Sequence, residues 1–153
     1  MYAIAFAMLC AMLTSFYVVT AEEQQVAAYQ STAADVAAAN FWSYWLVVGQ
    51  YNHQNPGLAG PVTVADGNLQ WQMGYVRNPA WTNTIVGGLV YTYSNPAIPL
   101  PAGTAFAIAK RGGNTRAIGI AQGVNLLNVV DGSISFTNLP TGIPNGAIVV
   151  VGN

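Results

Sequence analysis

Few side chains in this sequence could do chemistry, and none stands in a pattern that chemistry requires. His53 is the single histidine, set in the turn-forming run Asn52-His53-Gln54-Asn55-Pro56-Gly57. A metal centre needs several His, Cys, Asp or Glu ligands together. Here the carboxylates are scattered at Glu22, Glu23, Asp35, Asp66 and Asp131. Serine, histidine and aspartate are all present, yet no GxSxG elbow or other nucleophile motif accompanies them. Asp66 and Asp131 could assemble into a carboxylate pair, but each precedes a glycine and fits a turn. Gly112-Gly113 lacks the GxxxxGK[ST] spacing of a phosphate loop. The expectation is a non-enzymatic protein with no catalytic residue, no metal, no cofactor and no small-molecule substrate.

The charge inventory points the same way. The chain has 153 residues, 53% of them hydrophobic and 6% charged, where an ordinary soluble domain carries roughly 25% charged residues. A net charge of -1 gives no long-range field for nucleic acid. A surface this neutral resists self-association poorly, which implies cover by other proteins or by a second copy. The four bases are Arg77, Lys110, Arg111 and Arg116. Three of them surround Arg111-Gly112-Gly113-Asn114, which the sequence places at the tip of a hairpin between strands 106–110 and 116–121. Lys110, Arg111 and Arg116 are therefore either a solvated tip or a contact patch for an acidic partner or lipid headgroups. Cys10 is the single cysteine, so no intrachain disulfide forms. Leu9 before it does not suit a lipoprotein site.

The elements that must position these residues begin with MYAIAFAMLCAMLTSFYVVTA, residues 1–21, which contain no charged side chain. About 20 apolar residues cross ~30 Å of hydrocarbon as a helix, and the run ends abruptly at Glu22-Glu23-Gln24-Gln25. It is predicted to be a single transmembrane helix. Ala3, Ala7, Ala11 and Ser15 recur every four residues and form a candidate packing face for another helix. Val19-Thr20-Ala21 would also suit signal peptidase, but no Lys or Arg precedes the apolar core and the core is long for a signal peptide. Retention is the expectation, with the C-terminal domain outside the cytoplasm.

Residues 22–55 continue the helical pattern. Val26, Tyr29, Ala33, Ala37, Phe41, Tyr44, Val48 and Tyr51 step by three or four, which predicts an amphipathic helix. Joined to the first segment, it makes one helix of about 75 Å. Phe41, Trp42, Tyr44, Trp45 and Val48 are the candidate core between this helix and a sheet. From Pro56 the period changes to two and Gly and Pro become frequent, so 56–153 reads as an antiparallel β domain. Strands are predicted at 62–64, 69–76, 85–93, 106–110, 116–121, 124–130, 134–136 and 147–151, with Gly87-Gly88 as a bulge or bend. The fold class is α+β: a long N-terminal helix, transmembrane in its first half, packed on a small antiparallel sheet, pilin-like in outline.

Short motifs along the chain carry a family resemblance. They are Phe41-Trp42-Ser43-Tyr44 leading to Tyr51 and Asn55-Pro56-Gly57, then Trp81-Thr82-Asn83, Tyr91-Thr92-Tyr93 and Ile118-Gly119-Ile120. The ending Ile143-Pro144-Asn145-Gly146-Ala147-Ile148-Val149-Val150 completes them. With the N-terminal anchor, the sequence resembles the small PilM proteins of conjugative thin-pilus (type IVb) systems, which are unrelated to the actin-like protein of the same name. The resemblance implies an inner-membrane structural component of the pilus assembly apparatus, with other assembly proteins or pilins as partners and no catalytic residues. A pilin or minor pilin is the alternative, although no Glu stands near the fifth apolar residue. A secreted binding module after signal cleavage is a third reading.

Overall fold

In the computed structural model of the protein, residues 2–58, 60–113 and 117–153 are described, and within the first helix the side chains of Met12 and of residues from 23 onward. The helix α1 runs unbroken from Tyr2 to Gln54, 53 residues or roughly 80 Å at 1.5 Å per residue. Its alanine content favours helix, and no Gly or Pro occurs before Gly49. Residues 23–32 are all exposed. From Ala34 onward one face is buried through Ala37, Ala38, Phe41, Tyr44, Trp45 and Val48, the three-and-four spacing of a helix face turned to a core. The helix stops where Asn55 turns back on Tyr51, its backbone N–H (3.1 Å) and its side-chain amide (2.8 Å) both donating to the Tyr51 carbonyl.

Among the described residues no helix is long and apolar enough to cross a membrane. Apart from Met12, the expected transmembrane run 1–21, with its stripe Ala3, Ala7, Ala11 and Ser15, lies outside the residues whose side chains are described.

Six strands form one antiparallel sheet: β1 (Trp81–Val86), β2 (Leu89–Ser94), β3 (Ala117–Gln122), β4 (Asn125–Asn128), β5 (Ile134–Thr137) and β6 (Ile148–Gly152). Their order is β1-β2-β6-β3-β4-β5, so the last strand in sequence fills the centre. The apolar run Ile148-Val149-Val150-Val151 is buried on both faces of β6, as a central strand covered on both sides requires. Toward α1, Ile85, Val90, Ile118, Ile148 and Val150 meet Phe41, Tyr44 and Val48. On the far face Tyr91, Leu126, Val149 and Val151 are covered by Leu139, Ile143 and Ala147 of the loop before β6.

Three expectations are corrected. Residues 85–93 are not one bent strand: Gly87 and Gly88, at φ +57° and +80°, make the two-residue turn between β1 and β2. A hairpin turn with both central residues left-handed matches strand twist, and glycine adopts it without steric cost. Residues 106–110 are not a strand, and no hairpin joins them to 116–121. They belong to a second helix, α2 (Thr104–Gly112), which buries Thr104, Ala107, Ile108 and Gly112. FAIAK alternates, but it is too short to separate the two periods, and packing on α1 selects the helical one. The β domain expected over 56–153 therefore contains a helix. Finally, 62–64 contributes a single bridge, Val62 to Ile85, and 69–76 is a loop in which Trp71 and Tyr75 stack instead of pairing in a sheet.

Candidate functional site

The best-developed polar cluster lies where the 62–80 segment crosses α1 and the outer edge of β1. Along β1, Trp81, Asn83 and Ile85 alternate inward, which sends an amide into the apolar layer. Asn83 is 1% exposed, so its polar atoms need partners. Its carbonyl oxygen accepts from the Val64 N–H at 2.9 Å, and its amide donates to the Val64 carbonyl (3.1 Å) and the Tyr44 hydroxyl (2.7 Å). Two residues away, Val62 exchanges backbone hydrogen bonds with Ile85 at 2.9 and 2.8 Å. The side chain of Asn83 thus extends the ladder that the backbone of Val62 begins, and together they cover the edge of β1.

Asn40 on α1 is the second hub. Its amide donates to the Val76 carbonyl at 2.8 Å, while its oxygen accepts from Trp81 Nε1 (2.9 Å) and the Tyr75 hydroxyl (3.2 Å). Arg77 closes the cluster: Nε pairs with Asp66 Oδ2 at 2.6 Å, Nη2 donates to the Trp81 carbonyl at 3.1 Å, and the guanidinium lies 5.7 Å from the Tyr44 ring centre. Trp71 stacks on Tyr75 at 5.0 Å and on Tyr44 at 5.9 Å, within the favourable range for aromatic pairs. Burial raises the Tyr44 hydroxyl above its usual range, opposed by the Asn83 hydrogen bond. Burial likewise pushes Tyr75 up to about 12. Neither phenol ionises near neutrality, so the cluster supplies no phenolate nucleophile or base. It acts as a clamp that holds the loop on the helix.

The other sequence-selected residues are dispersed. Phe41, Tyr44, Trp45 and Val48 are buried and Trp42 is half-buried, its indole N–H donating to the Ile108 carbonyl at 3.2 Å. Lys110 and Arg111 are exposed on the last turn of α2, where cations complement the helix dipole; Arg116 lies outside the described residues. His53 is exposed at the end of α1. Asp131 caps its own turn, accepting from the Ser133 hydroxyl (2.7 Å) and, to a lesser effect, the Ser133 N–H (3.0 Å), which hold its carboxyl below the ordinary range. It sits beyond β4, near the sheet edge opposite β1. Asp66 is on the β1 side, so the two carboxylates do not form a pair. Among the described residues no three His, Cys, Asp or Glu side chains converge as metal ligands. The Asn83 and Asn40 hubs escaped sequence reasoning. Their one signal is an asparagine in phase with the inward positions of Trp81 and Ile85.

A small α+β domain carried at the end of a long helix, with a clamp as its best-developed polar cluster, describes the class of protein. The profile of the PilM family matches residues 8–151, and the chain belongs to that family. Its fold is similar to the crystal structure of PilM from Escherichia coli B7A, at 19% identity and a TM-score of 0.55, covering 80% of this chain and 94% of that one. A pilM protein from Pseudomonas aeruginosa 2192 is 27% identical, with a TM-score of 0.44 over 76% of this chain and 92% of that one. No curated protein matches the chain. Family membership associates the protein with pilus biogenesis.

Proposed function

We propose that this protein is a non-enzymatic, single-pass structural component of a type IV (conjugative thin) pilus assembly apparatus. In this reading residues 1–21 span the bacterial inner membrane and the domain lies in the periplasm, contacting other assembly proteins or pilins. One observation carries the reading: α1 continues without a break from the uncharged run 1–21 into the core of the domain. A cleavage after Ala21 would cut the middle of that helix, so the geometry favours a retained anchor that holds the domain off the membrane on a stalk. The clamp supports a scaffolding role, since it uses its polar groups to fix a loop and presents none of them as a reactive group. A filament subunit is the second reading, favoured by the outline of a long helix on an antiparallel sheet.

Alkaline carbonate extraction tests the anchor. The protein should stay in the membrane pellet, and in spheroplasts added protease should digest the domain. Recovery of a 22–153 species in the supernatant would replace the anchor with a cleaved signal. Presence in sheared, purified pili at pilin-like abundance would favour the filament subunit.

A further inference from the structure

The strand that joins the sheet follows all of its partners in sequence. β6 lies between β2 and β3 and is antiparallel to both. β2 and β3 therefore run parallel to each other, connected through α2, with a gap one strand wide between them. A single register ties the three. Tyr93 and Gly119 both oppose Val149, and Thr92 and Ile118 both oppose Val150. Among the described residues, the β1–β2 pair and the β3–β4–β5 group belong to one sheet only through β6.

Neither part stands well without it. A two-stranded hairpin is marginally stable at best in water, and three strands need a covered apolar face. Leu139, Ile143 and Ala147, which cover the far face, come directly before β6. β6 itself gives Ile148 and Val150 to the layer on α1 and Val149 and Val151 to the far layer. Its contacts are also distant: the Ile148 N–H donates to the Ser94 hydroxyl oxygen at 2.9 Å across 54 residues. Pairings of this separation form late, because the loop between them must close before they contribute.

We infer that β6 is a closing strand. The domain holds no stable sheet until residues 148–152 enter the gap between β2 and β3, and the chain before them stays extended and threadable until then. The use of this order rests on the periplasmic reading. A domain that crosses the inner membrane as an extended chain must not fold first, although a chain made from its N-terminus tends to fold in that direction. Placing the joining strand after all of its partners prevents that.

The test follows folding of the full chain during synthesis. Chains carrying flexible Gly/Ser tails of increasing length are stalled on ribosomes in a cell-free system, with lipid nanodiscs to receive residues 1–21, and are treated with protease. A resistant core should be absent while the tail leaves residues 148–152 inside the ribosome, and should appear once residue 152 has emerged. A resistant core at the shorter tails would overturn the inference. Native-state amide exchange on the finished chain gives a second readout. The β6 amides should exchange as slowly as the slowest in the chain, since freeing β6 unfolds the sheet. Faster exchange in β6 while β2 and β3 stay protected would also overturn it. Carbonate extraction and protease access in spheroplasts read anchor and location separately, so failure of the folding order and failure of the periplasmic reading remain distinguishable.

Discussion

Asn83 is a buried amide that completes a sheet edge which the backbone alone leaves short. Its three hydrogen bonds reach Val64 twice and Tyr44 once. Asn83→Ala would strand the Val64 N–H and carbonyl and the Tyr44 hydroxyl in a layer where water is scarce. Each orphaned buried group costs about 1–3 kcal/mol. A clear fall in the urea midpoint is therefore expected, and a variant that unfolds like the parent would mean that water enters the site. Tyr75 gives a second residue-scale prediction. Its hydroxyl, ordinarily at 10.0, is pushed up to about 12 in the folded chain, mainly by burial. Between those values the unfolded chain has lost a proton that the folded chain still holds, so stability falls as pH rises. The contribution is whole below pH 10.0 and gone above about 12. Urea midpoints measured across that window should drop for the parent and drop less for Tyr75→Phe.

The close approaches between elements are set by glycines. A Cβ on Gly119 of β3 would collide with the Leu127 carbonyl oxygen of β4 and sit 2.9 Å from the Leu126 side chain. The obstacle is backbone and cannot rotate away, so Gly119→Ala should separate β3 from β4 at a cost of about 3 kcal/mol or more. Amide exchange in β4 and β5 should rise with it, and unchanged protection there would show that the strands accommodate the methyl group. Gly112 is comparably tight, but its nearest atoms belong to the side chains of Ile118 and Trp42. The Ile118 end can yield while the Trp42 ring, hydrogen-bonded to Ile108, cannot. That arrangement explains why α2 ends in glycine where it passes Trp42, a reason that no local pattern of residues 104–113 displays.

At the scale of the whole molecule, α1 divides into a stalk and a core helix. Residues 23–32 are exposed along their length, whereas Ala34 begins the buried face. Removing residues before Glu22, or before Ala33, should therefore leave domains with closely similar urea midpoints by circular dichroism. A large loss in the shorter one would mean that the stalk supports the fold. In either domain Trp45→Ala should cost about 3–5 kcal/mol, the range for emptying a buried aromatic site, because Trp45 is 4% exposed. A loss below about 1 kcal/mol would place its ring outside the core.

The sequence by itself determined the long helix, its stop at Asn55-Pro56-Gly57, the α+β class and most of the strands after residue 116. These rest on period and on turn residues, which are local and repeat over many positions. It also carried the family, through short motifs spread along the chain. The tertiary structure alone decided what short apolar runs become. Residues 106–110 form a helix because α1 offers a face for Ala107 and Ile108. Residues 69–76 form an aromatic stack because β1 already has Val62 and Asn83 along its edge. The same holds for the clamp, whose members Asn40, Asp66, Arg77 and Asn83 are far apart in sequence. A hydrogen bond between distant residues leaves no periodic trace, so only the folded chain brings them together.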